Sequence, residues 1–234
     1  MDNISAHLQV HKNQKAVDEF LRRFRLHFPK INLYIHGDNG YDYSALKDVY
    51  DFEYTHWDTS ISPRGLSGGN WRGYLERVLM SCKKYDSEWM IFLEEDVNTL
   101  HNNIIFPTCD FAGIKGHYFT NEFTSYVRNL YPNLSDIRYN MCGGSIVKMK
   151  PLIESIESVL NGKFNLDEIS KLDSRIINYS DVLVSAILLL NGCTYGEWEQ
   201  LSETASGVFK ENAIFDHSWK EFYNKTDWET FVNY

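Results

Sequence analysis

Two periods of apolar residues run through the first hundred positions. Short runs, "AHLQVH" from Ala6, "INLYIH" from Ile31, "FEYTHWD" from Phe52 and "WMIFL" from Trp89, read as strands. Between the first two, Val17, Phe20, Leu21, Phe24 and Phe28 fall on one face of a helix in "AVDEFLRRFRLHF". "YSALKDVY" predicts a short helical piece. In "GGNWRGYLERVLMSCKK", Asn70 is placed to cap a helix whose apolar face is Tyr74, Leu75, Val78, Leu79 and Cys82. Strands alternating with helices predict an α/β domain with a mostly parallel sheet covered on both sides.

The second half has weaker periodicity. "DFAGIKG" (110–116) and "CGGSIVKMK" (142–150) read as strands, separated by the aromatic-rich "HYFTNEFTSYVRNLYPNLSDIRYN". "YSDVLVSAILLLNG" predicts a buried helix capped by Ser180 and closed near Gly192. From Gly196 onward no period stands out. No repeat, low-complexity linker or shift in composition marks a second domain.

One strand ends in an unexpected way. "WMIFLEEDVNTL" runs from a buried strand into Glu94, Glu95 and Asp96. Adjacent carboxylates raise one another's pKa unless a positive charge sits among them. Ligands of parallel sheets bind beyond the carboxyl ends of the strands, which is where these three acids fall. Glu94 and Asp96, two residues apart, point to the same side of extended backbone and can share one bound object. Oxygen ligands suit Mg²⁺ or Mn²⁺, ions usually held by few carboxylates plus substrate phosphates. The competing reading is that the acids cap a helix beginning at "DVNTL".

Composition narrows the classes. With 234 residues, 43% hydrophobic and 15% aromatic, the chain supports a well-packed core. A net charge of −9 argues against nucleic-acid binding. The four cysteines, Cys82, Cys109, Cys142 and Cys193, form no C-x-x-C pair, which predicts buried reduced thiols rather than zinc or a disulfide framework. No signal peptide is visible in "MDNISAHLQV", and no apolar run reaches the ~20 residues of a membrane span. The expectation is a soluble, cytoplasmic protein without a transmembrane segment.

The apolar strand followed by acid-x-Asp resembles the Asp-x-Asp motif of glycosyltransferases with the GT-A fold. The resemblance implies a Rossmann-like, mostly parallel α/β domain spanning 1–234, with a nucleotide-binding half at 1–97 and an acceptor-binding half at 98–234. It implies that Glu94 faces the donor's ribose, that Asp96 ligates the metal, and that Glu95 lies near either. This sequence has Glu where the motif's first Asp would stand, which loosens the ribose assignment. "LYIHGDNG" resembles the strand that places an acid near the base, here Asp38. "GGNWRGYLERVL" resembles the helix supplying nucleotide contacts, here Asn70 and Arg72. "NMCGGSIVKMK" resembles the Gly-Gly strand lining the donor-sugar pocket. "FDHSWK" resembles the late segment whose His completes the metal site and whose Lys meets the phosphates, here His217 and Lys220. Enzymes of this family encoded by large DNA viruses have similar size. The implied partners are a UDP- or GDP-sugar donor and a glycan or glycoprotein acceptor, with Mn²⁺ or Mg²⁺ as cofactor and a hexosyltransferase-like activity.

An inverting transferase also needs a base. Asp181, at the start of the buried helix, is the candidate; its competing role is to stabilise the helix N-terminus. Glu197 and Glu199, flanking Trp198, are rivals. Tyr118, Phe119, Phe123, Tyr126 and Tyr131 are equally an acceptor lid or ordinary packing. His7, His11, His36 and His56 read as surface or hydrogen-bonded core residues. Two other functions stay in view. A sugar-phosphate nucleotidyltransferase would carry a Gly-rich basic loop after the first strand, where "VHKNQKAV" has no glycine. An inactive domain that binds sugar nucleotides or glycans would show no turnover.

Overall fold

A computed structural model describes residues 3–10, 14–37, 42–56, 70–141, 143–204 and 207–217. Asp38, Lys220, His11 and Cys142 lie outside the described residues, as does the Gly-rich loop before Asn70.

The first half follows the apolar pattern. Strand β1 (Ile4–Val10) leads to helix α1 (Gln14–His27), β2 (Asn32–Gly37), a 3₁₀ turn (Ser44–Asp48), β3 (Glu53–His56), α2 (Trp71–Lys84) and β4 (Trp89–Glu94). Val17, Phe20, Leu21 and Phe24 are buried along α1, and Phe28 beyond its end, as the helical spacing requires. The Arg25 guanidinium closes α1 by donating to the carbonyls of Phe28 (3.0 Å) and Ile31 (2.7 Å). Asn70 caps α2, its side-chain oxygen accepting from the Gly73 amide at 3.2 Å.

No helix begins at the acids themselves. The chain there makes short strands β5 (Asn98–Thr99), β6 (Phe111–Gly113) and β7 (His117–Tyr118), then α3 (Asn121–Leu130), β8 (Arg138–Tyr139) and β9 (Ile146–Lys148). Helices α4 (Met149–Leu160), α5 (Leu166–Ile169) and α6 (Ser180–Leu190) follow, then β10 (Tyr195–Glu197), β11 (Leu201–Ser202) and β12 (Phe215–Asp216).

Three expectations are corrected. The strand expected at 142–150 is confined to Ile146–Lys148, and Met149 already begins α4. Gly143 and Gly144 form a turn instead, with Gly144 at φ +89°, a conformation side chains oppose. Ser180 does not cap α6: Tyr179 holds that place, and its side chain makes no capping bond.

The central sheet has the order β10-β6-β9-β4-β1-β2-β3, and all strands but β9 run the same way. Two apolar layers cover it. One packs Phe20, Phe24, Leu8, Ile35 and Ile91 on the α1 side; the other packs Val78, Phe92, Val147, Leu152, Ile187 and Leu188 under α2, α4 and α6. A separate three-stranded sheet, β11-β12-β5, sits just past the end of β4. It is small, yet it decides where Phe215 and Asp216 go. No helix among the described residues is long and apolar enough to cross a membrane.

Candidate functional site

The C-terminal edge of β4 delivers three acids. Glu94 is half-buried, whereas Glu95 and Asp96 are buried. A turn closed by the Val97 amide donating to the Glu94 carbonyl (3.1 Å) sends the chain into β5. There Asn98 pairs with Asp216 and Thr99 with Phe215, antiparallel. This pairing brings His217, remote in sequence, to the turn. The His217 amide also donates to the Ser202 carbonyl at 2.9 Å, which fixes the backbone that carries the ring.

The result is a convergence of ligand atoms. Nε2 of His217 lies 3.4 Å from Oε2 of Glu94 and 3.4 Å from Oδ1 of Asp96. One ligand atom from each of the three residues falls within 4.8 Å of the others. On the far side of the ring, Nδ1 faces Oε1 of Glu203 at 3.7 Å. At 3.7 Å this is an ion-pair contact, from which a small shift would form the hydrogen bond by which a carboxylate orients a ligating imidazole. Gly143 makes room for the ring: a Cβ there would stand 2.7 Å from Cγ2 of Val97 and 3.0 Å from Cδ2 of His217. Two carboxylates and one imidazole form an oxygen-rich N/O donor set that could hold a divalent cation; it has none of the thiolates of a Cys-rich zinc site, and its negative charge opposes an anion.

Asp181 opens α6 beside this group. Burial raises its carboxyl above the ordinary aspartate range; the Val182 amide opposes that shift and the Glu94 charge adds to it. His217 also pulls it down, by a smaller amount. Tyr74, from the buried face of α2, joins them. Its hydroxyl pKa is pushed up by burial, then by the charges of Glu94 and Asp181, while Arg77 and Ser180 oppose the shift. Tyr74 read from the sequence only as an apolar helix position.

The other expected residues are placed as follows. Asn70 is engaged as the α2 cap. Arg72 is exposed on the first turn of α2, its guanidinium 5.5 Å from the centre of the Trp71 ring. The buried arginine of that helix is Arg77, whose carbonyl contacts Nε2 of His36 at 2.9 Å. The ring centres of His7 and His36 lie 5.1 Å apart. Glu197 and Glu199 are paired with Lys210, at 2.7 and 3.2 Å. Trp198 is buried and donates to the Ile105 carbonyl at 3.0 Å, so it offers no face to a sugar. Glu203 escaped sequence reasoning altogether, since an acid in an aperiodic tail carries no local signal.

A cavity of about 410 Å³ opens beside the start of β6, lined by Asp110, Glu154, Ser158, Lys163 and Asn191 among others. It shares no residue with the site just described.

Neither known protein families nor curated proteins match the chain in sequence. Among solved structures it is similar to S. aureus TarS, residues 1–349, in complex with UDP. The two share 10% identity at a TM-score of 0.50, over 92% of this chain and 60% of that one. This chain therefore spans less than two thirds of that structure's length. At such identity the likeness gives the fold, a GT-A-like α/β domain with a mostly parallel central sheet.

Proposed function

We propose that the protein is a metal-dependent glycosyltransferase moving a sugar from a nucleoside-diphosphate sugar to an acceptor hydroxyl. The observation that carries this reading is the convergence of Glu94, Asp96 and His217 at the C-terminal edge of the sheet. The UDP held by the structurally similar TarS is the reason to try UDP-sugars first, with GDP-sugars second.

Asp96 and His217 would hold Mn²⁺ or Mg²⁺, with Glu94 toward the ribose or the ion and Glu95 in support. Bound there, the ion would act as a Lewis acid toward the charge that grows on the departing diphosphate. Asp181 takes the proton of the acceptor hydroxyl as its oxygen bonds to the anomeric carbon and the bond from that carbon to the phosphate oxygen breaks. A carboxyl raised toward neutrality by burial is better matched to that task than an exposed one. Asp38, Asn70, Arg72 and Lys220 remain assigned to the nucleotide and its phosphates by resemblance alone.

Release of nucleoside diphosphate from a panel of UDP- and GDP-sugars, with Mn²⁺ and with EDTA, tests the proposal. The expected result is donor-specific release that EDTA abolishes. Saturable donor binding with no release, with glycan or water as acceptor, would instead identify a binding domain.

A further inference from the structure

The geometry points to a stacking subsite for a neutral saccharide on the antiparallel β7–β8 ladder, formed by His117 and Tyr139 beside Asp181. It rests on the transferase reading and names the class of acceptor.

A two-residue ladder is too short to hold itself in place. This one is pinned to α6. The amides of Asn140 and Met141 both donate to Oγ of Ser185, at 2.9 and 3.2 Å, and that hydroxyl donates to the Asp181 carbonyl at 2.7 Å. The strand carrying Tyr139 is thereby fixed to the helical turn carrying Asp181. Tyr139 also lies within reach of the Asp181 charge, which adds to burial in raising its hydroxyl pKa.

The register separates the two faces of the ladder. His117 stands opposite Tyr139, and Tyr118 opposite Arg138. Directly opposed residues share a face, and the His117 and Tyr139 rings lie 5.5 Å apart. Arg175 lies over the Tyr139 ring, its guanidinium carbon 5.0 Å from the ring centre, and its Nη1 donates to the hydroxyl at 3.0 Å. Buried Phe119 meets the same ring edge-on at 5.2 Å. The ring is locked before any ligand arrives, which lowers the entropy lost on binding.

Charge selects the ligand class. Arg175 is matched by Asp173 through bonds of 2.8 and 2.6 Å, and Arg138 is matched by Asp136. Both cations next to these aromatics are therefore neutralised by their own carboxylates, leaving polarised rings rather than an anion site. The C–H face of a pyranose suits such a surface. Exposed Lys115 precedes β7, so anionic glycans are the comparison to make.

The test is a glycan array carrying neutral, sialylated and sulfated oligosaccharides, probed with the labelled full chain with and without UDP and Mn²⁺. Neutral glycans are expected to bind. His117→Ala and Tyr139→Ala should each weaken that binding about tenfold, the scale of one aromatic contact. Tyr139→Phe should keep it. Tyr118→Ala, on the opposite face of the same ladder, should leave it unchanged. Thermal melting separates loss of the fold from loss of the subsite, and exposed His117 gives the answer should Tyr139→Ala fail to fold. Binding confined to anionic glycans, no binding at all, or equal losses in Tyr118→Ala and His117→Ala would overturn the inference. Nucleotide release, measured separately, reports on the transferase reading: release without an effect of His117→Ala sinks the subsite only, and glycan binding without release sinks the transferase only.

Discussion

Nε2 of His217 and Oδ1 of Asp96 face each other at 3.4 Å, with Glu94 at the same distance from the same nitrogen. Replacing Asp96 by Ala removes one of the two carboxylates that meet there. Mn²⁺-dependent donor binding should then fall by more than the roughly 10–100-fold typical of residues that only support a ligand. Calorimetric titration of a UDP-sugar with Mn²⁺ checks this, and an unchanged affinity would remove Asp96 from the metal site.

Glu203 stands behind the imidazole, so its loss should be felt through the ring. Glu203→Gln is expected to weaken Mn²⁺ affinity about 10–100-fold while leaving the melting temperature of the metal-free protein near that of the parent. Paramagnetic resonance of free Mn²⁺ in a titration reads the affinity directly. Full affinity in the variant would show that His217 needs no orienting partner.

Gly143 has no room for a side chain. An alanine there must displace Val97 or the His217 ring, and such overpacking costs about 1–3 kcal/mol. Urea denaturation measures the cost. The variant should also lose metal affinity, because the group that moves most easily is the ring. A stable Gly143→Ala protein with intact Mn²⁺ binding would contradict the packing described.

Asp181 distinguishes chemistry from capping. Asp181→Asn keeps the size and the contact with the helix amides but cannot take a proton. Turnover should drop about 10²–10⁴-fold, with donor affinity within a few-fold of the parent. A purely structural aspartate would instead show the reverse: turnover kept, and stability lower by about 0.3–1 kcal/mol.

His7 and His36 give the fold a dependence on acid. Burial, first of all, holds both well below the ordinary histidine range, His36 at about 3. Their unfolded forms take up a proton near pH 6.5, and the folded forms do not. Stability from this source is complete above that pH and declines below it, for His36 down to about pH 3. The decline is up to about 1.4 kcal/mol per pH unit for each histidine. Between about pH 7 and pH 5 the parent should therefore lose more stability than His36→Gln by about 2 kcal/mol. Equal losses in urea titrations at the two pH values would show that His36 is protonated in the fold.

The first four strands and their helices were legible because each carries a sustained period. α1 shows five apolar positions on one face, counting Phe28 just past its end, and β4 an unbroken apolar run. The second half hid its elements for particular reasons. α4 begins directly at the end of β9, so the segment read as one strand runs into the helix with no turn between them, and Pro151 stands in its first turn, a permitted place for proline. α3 lay inside an aromatic run whose signal was only Phe123 and Val127, one turn apart. β5, β7, β8, β11 and β12 are two residues each, shorter than any period can reveal. Within the candidate site, Glu94 and Asp96 stood out because charge at the end of a buried strand is costly. His217 was reached through the resemblance to a family. Glu203 and Tyr74 were visible only once the small sheet and α2 had been set in space.

That small sheet couples binding to order at a distance along the chain. Because Asn98 and Thr99 are zipped to Phe215 and Asp216, an ion gripped from both sides would fasten the seam as well as the ligand cluster. The exchange of backbone hydrogens at Leu100 and His217, which bond to Ile214 and Ser202, should then slow when Mn²⁺ is added. Detachment of the late segment and escape of the ion would be a single event, with one rate.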